Sequence, residues 1–158
     1  MRLVSIVAIA ALAFTALPAS ALTVETKLST EFQKKLEDDY GTREAKLLTD
    51  ALVKKVEAAF VRQGVKAERV VVTIEDAKPN RPTMQQVQKK PGLDSMRSIS
   101  LGGAELTGIA YDASGAEIGR LNYDWYENDL TNVVGAGTWS DARWTFGRFA
   151  NRFADKLS

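Results

Sequence analysis

The chain has 158 residues, 45% hydrophobic and 26% charged, which suffices for one domain with a packed core. Its formal charge is only +1, which argues against long-range steering to nucleic acid or to an anionic membrane. It contains no histidine and no cysteine, which excludes Ser-His-Asp and Cys-His catalysis, His- or Cys-ligated metal and haem, and any disulfide staple.

Residues 1–21 read as a secretory signal peptide. Arg2 gives the positive start, Leu3 to Leu17 is apolar apart from Ser5 and Thr15, Pro18 breaks the run, and Ala19-Ser20-Ala21 fits the small-x-small cleavage rule. The apolar run is shorter than the about 20 residues of a spanning helix. No cysteine follows it for lipid attachment, so no stable membrane anchor is expected after cleavage. The expected mature chain is a single domain over 22–158, exported to a bacterial periplasm. Arg2 is the only charged residue removed, which leaves no net charge.

Leu22 to Thr26 alternates apolar and polar residues, as an edge strand or a mature leader does. Ser29-Thr30 can cap a short helix with Phe32, Leu36 and Tyr40 on one stripe, ended by Gly41. Thr42 is placed to cap a helix over 43–63, roughly 30 Å long, with Leu48, Leu52, Val56, Ala59 and Phe60 on its apolar side and Gly64 as its stop. Residues 69–75 (Arg-Val-Val-Val-Thr-Ile-Glu) form the clearest strand, and their continuous apolar centre predicts cover on both sides or a central place in a sheet.

A polar connection follows over 77–97, with three of the four prolines and room for a helical turn over 83–90. It exceeds the usual loop length and is a candidate partner surface or a variable loop. Residues 98–112 alternate around Gly102-Gly103, which predicts a bend or bulge. The turn Asp112-Ala113-Ser114-Gly115 predicts a hairpin of 104–111 with 116–126, Leu121, Tyr123 and Trp125 facing the core. After a loop over 128–137, Ser140 or Asp141 is placed to cap a last helix. Ala142, Phe146, Phe149, Phe153 and Leu157 form its apolar stripe, with Arg143, Arg148 and Arg152 largely outside it.

These elements predict an α+β fold, an antiparallel sheet of about three to five strands with helices packed on one face. No catalytic, cofactor-binding or metal-binding residues are assigned. Gly102 to Gly108 lacks the Gly-Lys-Ser/Thr ending of a phosphate loop and reads as bent-strand glycines. Asp124, Glu127 and Asp129 surround Trp125-Tyr126, a grouping known from glycan hydrolysis, but strand parity sends Asp124 and Glu127 to opposite faces. Ser98 and Ser100 lack a Ser-x-x-Lys context. The arginines of the last helix are a solvated face or a strip for an anionic envelope component. The candidate partner-binding residues are Asn80, Arg81, Pro82, Thr83, Gln85 and Gln86 of the long connection, with Trp125 and Tyr126 at the hairpin end.

Four stretches carry a resemblance. Pro79-Asn80-Arg81-Pro82-Thr83, Pro91-Gly92-Leu93-Asp94 and Ser98 to Ala104, with Thr138-Trp139-Ser140-Asp141-Ala142 before the aromatic helix, resemble uncharacterised exported proteins of Gram-negative bacteria, from about residue 40 onward. That group is a domain of unknown function, so the resemblance implies no catalytic residues. The element order is also distantly similar to small envelope domains, such as the N-terminal domain of the Tol-system propeller protein and auxiliary subunits of envelope transporters. The expected function is a periplasmic binding or accessory protein of the cell envelope without catalysis or cofactor. The alternatives are a small-ligand carrier with a chamber between sheet and helices, and a carboxylate-dependent cell-wall glycan hydrolase.

Overall fold

A computed structural model describes residues 22–158; the expected signal peptide lies outside the described residues. The elements are β1 (Thr23–Leu28), α1 (Thr30–Lys35), a π-turn (Leu36–Tyr40), α2 (Arg43–Gln63), β2 (Arg69–Lys78), α3 (Met84–Lys89), β3 (Gly103–Tyr111), β4 (Glu117–Tyr126), a 3₁₀ turn (Leu130–Val133) and α4 (Ser140–Leu157). The fold is α+β, as expected. The four strands form one sheet in the order β1-β2-β3-β4.

The expected antiparallel sheet is present in β2, β3 and β4, and β1 adds one parallel strand at its edge. β1 runs parallel to β2, while β2, β3 and β4 alternate in direction. The cause is the helical crossover: α1 and α2 carry the chain back to the end of the sheet where β1 began.

Strand parity sets the core. Val70, Val72 and Ile74 of β2, Ala104, Leu106 and Ala110 of β3, and Tyr123 of β4 are buried beneath α2 and α4. The expected core face of β4 holds, with Leu121 and Trp125 packed against the same cluster. A register shift between Ile74 and Asp76 returns Ala77 to the buried side. The other sheet face carries Thr73, Thr107, Ile109 and Asn122 with partial or full exposure. β2 is therefore central in the sheet and not covered on both sides. Val71 is 8% exposed because strands flank it on either side.

The helices supply the rest of the core. Phe60 of α2 meets Phe153 of α4 edge to face at 5.5 Å between centroids. Phe146, Phe149 and Phe153 are fully buried, each worth about 1.5–3 kcal/mol of transfer free energy. Gly108 of β3 lets α4 approach: a Cβ there would lie 2.6 Å from Phe149 Cζ and 2.7 Å from Phe153 Cε1.

Capping differs in part from expectation. Ser29 Oγ accepts from the Phe32 N–H at 3.0 Å and donates to the Glu75 carbonyl at 2.7 Å, tying α1 to β2. Gly64 ends α2 at φ +66. Thr42 makes no side-chain cap, because its backbone is already helical. Ser140 and Asp141 lie inside α4, and Trp139 holds the cap position. Tyr40 does not continue a plain helical stripe, because the Gly41 N–H reaches the Leu36 carbonyl at 2.7 Å and widens the turn.

Candidate functional site

The connection between β2 and β3 is held to the body by buried polar side chains. Asn80 is fully buried. Its Nδ2 donates to Asp141 Oδ2 and, at 3.3 Å, to the Ser100 carbonyl, and its Oδ1 accepts from the Asp141 N–H at 2.9 Å. The Asn80 N–H donates to the Thr138 carbonyl at 2.7 Å, and the Ser100 N–H donates to the Asn80 carbonyl at 2.8 Å. Asp141 Oδ2 also accepts from the Gly102 N–H at 3.3 Å. One asparagine thus joins both ends of the connection to the first turn of α4.

Arg81 acts beside it. Its Nε donates to the Ala136 carbonyl at 2.5 Å, one terminal nitrogen to the Val134 carbonyl at 2.7 Å, and the other to the Met96 carbonyl. The planar fork suits three acceptors, and it fixes the 128–137 loop against the connection.

Inside the connection, Thr83 and Gln86 form a capping box that starts α3. Gln86 Nε2 donates to Asp39 Oδ2 at 2.8 Å, and Gln85 Nε2 donates to the Glu37 carbonyl at 3.1 Å. Lys90 and Asp39 pair at 2.5 Å. α3 is thereby docked on the π-turn. The helical turn expected over 83–90 is present, whereas the strand expected from Ser98 begins only at Gly103.

The docked segment forms one wall of a cleft of about 260 Å³. Tyr40, Lys78 and Pro82 line it, with Leu93, Ile99 and Leu101 supplying apolar surface. Ile99 and Leu101 are each 38% exposed, and Met84 and Met96 of the same segment are more so. Burial is the main cause that pushes the Tyr40 phenol up to about 12, with Asp76 and Asp39 adding to it. Tyr126 is also raised, by burial first and then by Asp76, Glu105 and Asp124. Both phenols remain neutral hydrogen-bond donors near neutral pH. The Lys78 ammonium lies 5.1 Å from the centre of the Tyr126 ring.

The candidate residues thus separate by role. Asn80, Thr83 and Gln86 are buried and committed to internal bonds, and Arg81 and Gln85 spend their donors on backbone carbonyls. Pro82 lines the cleft. Trp125 packs at a tilt against Trp144, 4.3 Å between centroids, away from the cleft lining, and Tyr126 sits with Lys78. Sequence reasoning gives Asp141 only a capping role and places Ile99 and Leu101 in a strand, and so misses their part in the site. Their i, i+2 spacing on a glycine-flanked segment was the available signal.

The serines and two of the carboxylates weighed for catalysis are engaged by nearby backbone groups. Ser98 Oγ accepts from the Asp94 N–H at 3.0 Å, and Ser100 Oγ donates to the Pro79 carbonyl at 2.6 Å, so neither hydroxyl is bonded to a lysine. Backbone N–H donation from Asn128 lowers the Glu127 carboxyl, and donation from Thr131 lowers that of Asp129. A general acid for glycan hydrolysis needs the opposite shift. Among the described residues no group of three carboxylates is placed to hold a metal ion, and no helix is long and apolar enough to cross a membrane. Compared with known proteins, the sequence matches no family model and no curated sequence.

Proposed function

We propose that this chain is a non-catalytic binding or accessory protein of the bacterial cell envelope, exported by residues 1–21 and released after Ala21. One observation carries the reading: a connection of unusual length is locked in place and holds apolar side chains exposed beside a cleft. Ordering such a segment in advance removes much of the entropy cost of binding. Exposed Ile99 and Leu101 beside the neutral Tyr40 phenol and Lys78 suit an extended protein segment, with carbonyls for the donors and apolar side chains for the rim. The resemblance to exported envelope proteins supports the same assignment.

A small-ligand carrier needs a chamber between sheet and helices. That space is filled by Phe60, Phe146, Phe149, Phe153 and Leu106, which favours the partner reading.

The test is a pair of rim variants, Ile99→Asp and Leu101→Asp. Each is expected to abolish co-purification of one specific envelope protein while leaving the melting temperature within a few degrees, since both sites are partly exposed. An unchanged partner profile for folded variants contradicts the cleft as the binding site.

A further inference from the structure

β4 is one of the two outer strands of the sheet, and among the described residues no strand pairs with its outer edge. The ladder with β3 shows which backbone groups that edge offers. The Glu127 N–H donates to the Gly102 carbonyl, so the odd-numbered residues Tyr123 and Trp125 face β3 and the intervening Arg120, Asn122 and Asp124 point their N–H and C=O outward. The Arg120 carbonyl confirms this sense, accepting from the Lys156 ammonium at 2.7 Å. The side chains of Arg120, Asn122 and Asp124 lie exposed on the open sheet face.

The geometry points to this edge as the interface with a second copy of the same chain, paired antiparallel about a two-fold axis at Asn122. In that register Arg120 stands directly opposite Asp124 of the second copy, and the reverse contact repeats it. Ile118 is the unpaired residue of a bulge, so the regular pairing is counted over 120–124. Opposite charges face each other at each position where the strand carries a charge on this face between 120 and 124. The outward N–H and C=O groups align as hydrogen-bonded pairs. The Arg120 carbonyl exchanges its bond from Lys156 for one from the N–H of Asp124 in the second copy.

A second observation selects the same register. Asp76, Glu105 and Asp124 are neighbours across β2, β3 and β4, a row of three carboxylates. Lys35 neutralises the row at Asp76, at 2.9 Å. The Asp124 end has no ion pair within the chain among the described residues. Like charges placed directly opposite each other are destabilising. A strand that brings an arginine to this end relieves them, and Arg120 of a second copy does so. Arg120 is held ready on the surface by Glu117 at 3.0 Å.

The test is sedimentation equilibrium of the purified protein and its variants across a wide concentration range. The wild-type chain is expected to form a dimer. Arg120→Asp and Asp124→Arg, each placing like charges opposite each other twice per dimer, are expected to weaken it about tenfold or more. The double swap R120D/D124R is expected to restore it to within about threefold of wild type. Asn122→Pro removes only an outward N–H and is expected to abolish the dimer, with circular dichroism showing the fold retained. A monomer at every concentration overturns the inference, as does a dimer indifferent to both single reversals. A double swap that fails to restore pairing overturns the register.

Discussion

Removing the Asn80 side chain is the sharpest test of how the connection is held. Asn80→Ala deletes the bond to the Asp141 carboxylate, the bond from the Asp141 N–H and the longer bond to the Ser100 carbonyl. The charge-assisted bond is worth about 1.5–3 kcal/mol and the neutral ones about 0.5–1.5 each, with the 3.3 Å bond at the low end. The expected loss is therefore about 3–4 kcal/mol, against a total of roughly 5–15 for an ordinary domain. At roughly 4 °C per kcal/mol for a chain of this size, the melting temperature should fall by about 12–16 °C. Urea unfolding measures the free energy, and limited proteolysis shows whether residues 79–102 open first. Asp141→Ala completes a double-mutant cycle, with an expected coupling of about 1–3 kcal/mol. A loss below about 1 kcal/mol, or sites that simply add, would refute the clasp.

Three further outcomes follow from the geometry. Phe149→Ala, at a fully buried site between α4 and β3, should cost about 3–5 kcal/mol in urea unfolding. Gly108→Ala should cost about 1–3 kcal/mol, because its Cβ has no room beneath Phe149 and Phe153, and Phe149→Leu in the same chain should recover part of that. Tyr40 has its folded pKa raised to about 12 from an ordinary value near 10, so the folded state favours the neutral phenol. Its stabilising contribution is complete below about pH 10 and is lost as pH rises toward 12. Denaturation midpoints should decline across that window, and Tyr40→Phe should flatten the decline.

The parts of the fold legible in the sequence were those set by local periodicity. The phenylalanine stripe of α4, the α2 stripe with its Gly64 stop, and the alternation of Leu121, Tyr123 and Trp125 each follow from one element's own geometry. The parallel pairing of β1 with β2 was not legible, because six residues with partial alternation do not reveal their partner. The site was harder still. Asn80 and Arg81 stood out as loop residues, but their use as internal clasps depends on carbonyls and a carboxylate 15 to 61 positions away. Ile99 and Leu101 alternate as strand residues do. They stay outside the sheet because the Ser100 N–H and Oγ are taken by Asn80 and Pro79, which holds the segment to the clasp before β3 begins at Gly103.

Photo-crosslinking in the envelope of the native host shows whether the cleft rim meets a partner. The crosslinker replaces Ile99 at the cleft rim, with a control at Asp50 on α2, which does not line that cleft. One discrete light-dependent adduct with an envelope protein is expected from Ile99 and none from Asp50. A folded, exported protein with no adduct from Ile99, or with equal adducts from both positions, would contradict the cleft rim as the binding site.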